Sequence, residues 1–341
     1  MTTNVRTIAL SVLLAAAATG ATVVVLTGGI HGRALATSAL LLAVSAVAWH
    51  LLFAGIGQLF LAVGGLSGLS GYAFVLLADD AGWPWLISMV AAVAIATGAG
   101  MLLAWIGARR RLGAMFSGVV TLVASLAFAQ ALLGARSVTG GETGRVVMAP
   151  SLAGVIGSPA ALMVAAGAVV AAIAAYAALG RSATGHAARA VRDDVVAAEL
   201  AGIPLVATQV RIAAVGSALI SLSGALRASM EGFVNPSMYA FGHVDVRVIV
   251  AAVLGAAIGS GLSRLVPVSR DVFTRLGPVV AALMLAFVDE MLRPFAQLRT
   301  AVYGVVLFAL VLLLRERLVD PPSPATPRPQ KDGVRMIDRE P

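Results

Sequence analysis

The stretch that decides the fold is residues 84–111, PWLISMVAAVAIATGAGMLLAWIGARRR. From Pro84 to Gly107 it carries no charged side chain, and it then ends on Arg109, Arg110 and Arg111. As a helix this run rises roughly 36 Å, enough for a hydrocarbon core about 30 Å thick. Its few polar residues supply no stripe that could face water. Strict two-residue alternation, the mark of a membrane barrel, is absent. The arginine triplet marks the end that stays on the cytoplasmic side.

The pattern recurs outward in both directions. Apolar windows of similar length lie near residues 8–27, 34–54, 59–78, 84–107, 115–134, 159–179, 206–229, 244–262, 275–292 and 298–314. They predict an all-α integral membrane protein with about ten transmembrane helices in one body, 1–314. The first window follows Arg6 like a signal peptide but is longer than a signal core and lacks a small-x-small cleavage site, so it reads as a retained helix. The tail 315–341 is rich in Pro after Asp320 and reads as a disordered cytoplasmic segment.

Composition agrees. Of 341 residues, 60% are hydrophobic and 12% charged, with mean hydropathy +0.96. Soluble domains carry about 25% charge, so a soluble enzyme or secreted scaffold is excluded. With no cysteine there are no disulfides, thiolate nucleophiles or thiolate metal sites.

The net charge of +8 resolves by position. With ten alternating helices and segment 180–205 inside, 16 of the 24 basic residues fall on the inner side. Arg33, Arg136, Arg145, Arg293 and Arg299 fall outside, and Arg211, Arg227 and Arg247 lie in or at the edges of spans. The positive-inside rule then puts both termini in the cytoplasm. The basic balance is topology, and no nucleic-acid partner is implied.

Several chemistries are missing. The only lysine is Lys331, followed by Asp332, so no Walker A loop exists here. His31, His50, His186 and His243 share no metal-ligand spacing, and His50 reads as a helix-end histidine hydrogen-bonded to a neighbour. The acid pairs Asp79–Asp80, Asp193–Asp194 and Asp289–Glu290 are adjacent in sequence, so helical geometry splays each by about 100°. Asp289 and Glu290, with Arg293 nearby, read as an ion pair at the membrane boundary, and Asp245 and Arg247, near the start of a span, also read as interfacial. No acid is expected at mid-membrane depth, and no catalytic or metal site is expected.

Two hydrophilic segments interrupt the spans. Residues 135–158 form an external loop with turn-forming Gly, Pro and Ser. Residues 180–205, GRSATGHAARAVRDDVVAAELAGIPL, form an internal one. There Gly180 and Gly185 break the preceding span, 186–202 reads as one short amphipathic helix, and Gly202–Ile203–Pro204 stops it. Ala187, Val191, Val195, Ala198 and Gly202 share one face, and Arg189, Arg192, Asp193 and Glu199 populate others. Composition fits a docking element and a membrane-surface helix equally.

The run Gly180–Gly185, then Arg189-Ala190-Val191-Arg192-Asp193-Asp194, then Ala197-Ala198-Glu199-Leu200-Ala201-Gly202-Ile203 resembles the cytoplasmic loop of branched-chain amino acid ABC transporter permeases. Gly57-Gln58-Leu59 through Gly71-Tyr72, Val120-Thr121-Leu122 with Phe128-Ala129-Gln130, Thr139-Gly140-Gly141, and Gly224-Ala225-Leu226 with Gly232-Phe233-Val234-Asn235-Pro236 resemble further motifs of that family, in order. The likeness runs from about residue 40 to 315. It departs at Ala62-Val63, where the family carries Gly-His, at the Arg-bearing segment from Ser263 to Arg275, and at Leu314-Arg315-Glu316-Arg317.

The resemblance implies an inner-membrane permease subunit of an ATP-driven importer of bacterial type. It implies a second homologous permease subunit, usually a different one, and two cytoplasmic ABC ATPases that bind ATP and Mg. An external solute-binding protein would dock near 135–158. It makes 186–202 the coupling helix, with Arg189, Arg192, Asp193, Ala198, Glu199 and Gly202 as coupling positions. Gln58, Thr121, Ser125 and Gln130 are the pathway candidates, although each also suits a bond to a neighbouring helix, the commoner use of Ser and Thr. Gly64, Gly68 and Gly71, like Gly255 and Gly259, read as close helix packing. Urea, amides or another small polar solute remain open as cargo. So does an ATP-independent secondary transporter or channel, which would show broken helices or buried charges at a central site.

Overall fold

A computed structural model describes residues 29–149, 151–240, 242–262, 270–291 and 305. The windows 8–27 and, apart from Val305, 298–314 lie outside the described residues, as does the tail 315–341.

The other eight windows each fall on a helix. α1 is Gly29–Ile56 and α2 is Val63–Val75, which continues as a π turn, Leu76–Asp80. α3 is Trp85–Arg109, α4 Ala114–Gly134, and α5 the short Arg136–Thr139. α6 is Pro159–Arg181, α7 Ala183–Asp193, α8 Val195–Leu200 and α9 Leu205–Glu231. α10 is Asp245–Leu262 and α11 Arg270–Met291. Among the described residues five helices are long and apolar enough to cross a bilayer, namely α1, α3, α4, α6 and α9. The chain is a multi-pass, mostly helical membrane protein.

α1 and α9 form the enclosed centre, where Trp49, Leu52, Ile212 and Ile220 are fully buried. α3, α4 and α6 bury one face each. On α3 that face is made of small residues, Ala92, Ala96, Gly100 and Ala104. Gly100 presses on Ser217 of α9 so closely that no Cβ would fit. Lipid does not drive helices together as water does, so such small-residue contacts carry the packing. The opposite face of α3 turns Leu86, Val90 and Leu102 outward, as a lipid-facing helix should.

Gly64, Gly68 and Gly71 serve this packing. Together they form the groove for Tyr239, whose ring carbons would lie 3.1 Å from a Cβ at Gly68 and whose hydroxyl would lie 2.5 Å from one at Gly71. Gly255 of α10 packs likewise against Gly277 and Pro278 of α11, joining parts that the Arg-bearing segment separates in sequence.

Residues 135–149 of the expected external loop hold more than a bare string of turns. After α5, a two-residue strand β1, Arg145–Val146, pairs antiparallel with β2, Phe233–Val234. Asp79 at the end of α2 accepts hydrogen bonds from the N–H groups of Met148 (2.9 Å) and Ala149 (2.7 Å). Arg145 pairs with Asp80 at 2.5 Å, and Asn235 donates to the Glu142 carbonyl at 2.7 Å. Segments expected on one membrane face thus meet one another: 79–80, 142–149 and 235. So do segments expected on the other, 54, 111, 192 and 199.

Candidate functional site

The span expected at 59–78 does not begin as a helix. α1 ends at Ile56, and Gly57 turns the chain with φ +69°, a left-handed conformation that glycine adopts without strain. Residues 57–62 then run unwound before α2 restarts at Val63. Unwound backbone amid packed helices requires partners for its polar groups, and side chains supply two of them. The Phe60 carbonyl accepts from Trp49 Nε1 at 2.8 Å, and the Leu61 N–H donates to Thr121 Oγ1 at 2.9 Å. At the start of α2, the N–H groups of Val63 and Gly64 both donate to Asp245 Oδ1, at 2.8 and 3.1 Å, and that of Gly65 donates to Ser125 Oγ at 3.0 Å. The Leu66 N–H then begins the helical ladder by bonding the Ala62 carbonyl at 3.0 Å.

Asp245 is therefore a cap reaching across from α10. It is 0% exposed, whereas the sequence places it at the membrane boundary. Its carboxyl faces the positive end of the α2 dipole, and its other oxygen sits against Gly64, where a Cβ would come within 2.5 Å.

Beside this cap lies a buried amide pair. Gln58 of the unwound segment donates from Nε2 to Gln209 Oε1 on α9 at 3.2 Å. Its own Oε1 accepts from Ser117 Oγ on α4, also at 3.2 Å. Thr121 sits one turn above Ser117 and donates within its own helix at 3.0 Å. Three of the four pathway candidates, Gln58, Thr121 and Ser125, thus converge on one break. Gln130 does not join them: it is exposed on α4. The cluster gathers amides, hydroxyls and one carboxyl around the unwound residues 57–62.

Residues 180–205, expected on the inner side, differ from the single helix expected over 186–202. The break after α6 is at Ser182, whose hydroxyl caps α7 by accepting from Gly185 N–H at 3.2 Å, so Gly185 is inside the helix. α7 then stops at Asp193. Asp194 takes an extended conformation (φ −155°, ψ 111°) and caps α8 by accepting from Val196 and Ala197 at 2.9 and 3.0 Å. This interruption divides the expected apolar stripe: Val191 and Ala198 pack with Leu205, while Val195 is exposed. The stop itself is as the sequence indicates. Gly202 adopts φ +79°, and Ile203 N–H returns to the Ala198 carbonyl at 3.0 Å, the paired bonds of a Schellman motif.

Two arginines tie this segment to the spans. Arg192 Nη1 donates to the Ala54 carbonyl at 2.8 Å, in the last turn of α1, three residues before the unwound segment. Arg111 Nη2 pairs with Glu199 Oε1 at 3.1 Å. Arg189 and Asp193 are exposed, and Asp193 lies 4.0 Å from Arg192. Val196 and Leu200 stand out at 66% and 85% exposure, a bare apolar surface on a polar segment.

Other expectations need correction. His50 Nε2 is buried without a hydrogen-bond partner, and its ring meets Tyr176 edge-on at 5.9 Å. Asp289 and Glu290 take partners on other helices, Arg247 (3.7 Å) and His31 (3.1 Å), while Arg293 lies outside the described residues. Reading the sequence missed Asp245, Ser117 and Gln209 as members of the break. The one visible sign was a lone acid opening an apolar run at Asp245.

A family model described as the permease component of a branched-chain amino acid transport system matches residues 33–314. Nothing matches the chain among proteins of curated function or among solved structures.

Proposed function

The chain belongs to the branched-chain amino acid transport permease family, and from that premise we propose that it is the membrane-spanning subunit of an ATP-driven importer. Its cargo in this reading is a branched-chain or related small amino acid handed over by an external solute-binding protein. It pairs with a second homologous permease subunit in the bacterial plasma membrane, with about ten spans and both termini cytoplasmic. Two ABC ATPases bind ATP and Mg and grip the 182–204 face. The loop 135–158 suits the binding protein.

The observation that carries this reading is the bond from Arg192 to the Ala54 carbonyl. It fastens the internal helices to the last turn of α1, which leads directly into residues 57–62. A rigid-body shift of α7 and α8 would pull on the one unwound stretch that Gln58, Thr121 and Ser125 stabilise. That is the type of two-state element alternating access requires. Exposed Val196 and Leu200 give a partner something apolar to bury. Gly202→Asp is expected to abolish transport-linked ATP hydrolysis while leaving membrane insertion intact. Normal ATP-coupled uptake in that variant would sink the assignment.

One observation favours the ATP-independent reading, since a broken helix and a buried acid are what it calls for. Yet Asp245 Oδ1 is engaged by two backbone N–H groups, which suits a fixed cap better than a relay. Asp245→Asn keeps an acceptor and removes the titratable group. ATP-coupled uptake is expected to persist in it, and uptake that instead follows the proton gradient and vanishes in this variant would favour the alternative. Whether the cargo is an amino acid, urea or an amide is read from the solute that copurifies with the partner binding protein.

A further inference from the structure

A cavity of about 280 Å³ lies between α1, α2, α9, α10 and α11, and nothing above uses it. This volume sits just below the usual range for small-molecule sites, roughly 300–1,000 Å³, so it suits a solute of amino-acid size. Its floor is hydroxylic. Ser45 and Ser223 touch at 2.6 Å, Ser67 stands beside them, and all three are buried. The Ser223 hydroxyl also donates to the Ile220 carbonyl at 2.9 Å. Ser45 must then donate to Ser223, which leaves the Ser45 oxygen as an acceptor.

Toward the end where α9 closes and α10 opens, the wall becomes charged with both signs. Arg227 and Arg247 line it together with Asp289 and Glu290. Arg247 lies 3.7 Å from Asp289, His31, which also lines the wall, lies 3.1 Å from Glu290, and Arg227 lies 3.5 Å from Glu231 one turn along α9. Between floor and charges the lining is aliphatic, with Leu41, Leu42 and Val248. The charges of the two arginines and two carboxylates in the lining cancel, with His31 and His243 beside them, so the wall suits a ligand that also carries one charge of each sign and no net charge. A net anion or net cation would leave the wall unbalanced in a medium where bare charge is expensive. Guanidinium groups pair with a carboxylate through charge-assisted bonds, and the acids take an ammonium group.

We propose that this cavity is a binding site within the single subunit for an aliphatic α-amino-acid zwitterion, with carboxylate toward Arg227 and Arg247 and ammonium toward Asp289 and Glu290. The site rests on the permease reading above and adds to it a place where cargo lodges in this chain.

Radiolabelled L-leucine titrated onto the purified full-length chain in nanodiscs, with no ATPase or binding protein, tests the site. Saturable binding is expected for the wild type. Ser67→Phe fills the floor and should abolish it. Arg227→Gln should weaken it about 10-fold or more, the scale of a lost charge-assisted bond. Arg227 pairs with Glu231 within its own helix, so removing it unlinks no two helices and keeps the test open if Ser67→Phe fails to fold. 4-Methylpentanoate and 3-methylbutylamine, each lacking one of the two charges, should compete about 10-fold more weakly than leucine. Undiminished binding in both variants, equal competition by either half-ligand, or no saturable binding by the wild type overturns the site. ATP-driven uptake by the assembled transporter is measured alongside. Uptake that continues at the wild-type rate in folded Ser67→Phe overturns the site and leaves the permease reading standing, whereas a wild type with neither ATPase partner nor uptake overturns the reading on which it rests.

Discussion

The chain breaks between helices in two places that use one device in opposite settings. At residues 57–62 the restart of α2 is capped by Asp245, from 182 positions away and out of contact with solvent. Between α7 and α8 the restart is capped by Asp194, from two and three positions away and exposed to water. Each carboxylate accepts two backbone N–H bonds. What differs is the alternative partner. Water can replace Asp194, while nothing replaces Asp245. The same geometry is therefore a structural necessity at one break and a local preference at the other.

The sharpest way to break this comparison is Asp245→Ala. It strands two buried donors, each costing about 1–3 kcal/mol, and removes a buried polar group whose desolvation partly offsets that loss. A net destabilisation of about 3 kcal/mol is expected, read as a large fall in melting temperature in detergent and in membrane yield. Asp245→Asn should recover most of it. An alanine variant as stable as the wild type would mean that α2 is held by packing alone.

Asp79 supplies the intermediate case. It too accepts two backbone N–H bonds, from Met148 and Ala149, and it is half-buried. Asp79→Ala should cost about 1–2 kcal/mol, with faster hydrogen exchange at 147–149 as the local sign. Asp194→Ala should cost about 1 kcal/mol or less, the size of an exposed N-cap, and that loss should stay local. Amides of 195–200 should exchange faster while the global melting temperature holds. If Asp194→Ala melts the whole protein, the internal segment is part of the core and the contrast fails.

The contrast also explains what the sequence revealed. Eight apolar windows fall on helices because a span of that length is a local property of composition. The stop at Gly202 was legible for the same reason: glycine then proline act within a few residues. The break at 57–62 was not legible, because Leu59, Phe60 and Leu61 read like any apolar run and the bonds that hold them come from Trp49, Thr121 and Asp245. Nothing local distinguishes an aspartate that will cap a distant helix from one that will face a headgroup. Asp194 was missed differently. The helical period runs on through 193–195, and only the cap geometry shows that two helices share it. Thr121 and Ser125 were singled out as lining or bonding residues, and the structure gives each a backbone N–H to bond. Gln130, chosen by the same polarity argument, faces outward, because polarity alone does not say which side of a helix is turned in.

The smallest expected effect lies next to Asp79 and tests whether exposure alone sets the scale. Asp80 lies beyond the end of its span, and the Arg145 guanidinium hydrogen-bonded to it holds its carboxyl below the ordinary 3.8. A carboxyl whose pKa is depressed on folding adds stability above its unfolded value and loses it as pH falls through the folded one. The tie between the end of α2 and β1 should therefore be intact at pH 5 and weaken only below about pH 3.8, where the pair begins to lose its charge. Because Asp80 is exposed, solvent screens the pair and the loss should be small. Hydrogen exchange at 145–146 should rise between pH 5 and pH 3, after correction for intrinsic rates, and the rise should vanish in Asp80→Asn. A change as large as that of Asp245→Ala would show that ranking these aspartates by access to water is wrong, because an exposed one would then matter as much as the one that water cannot reach.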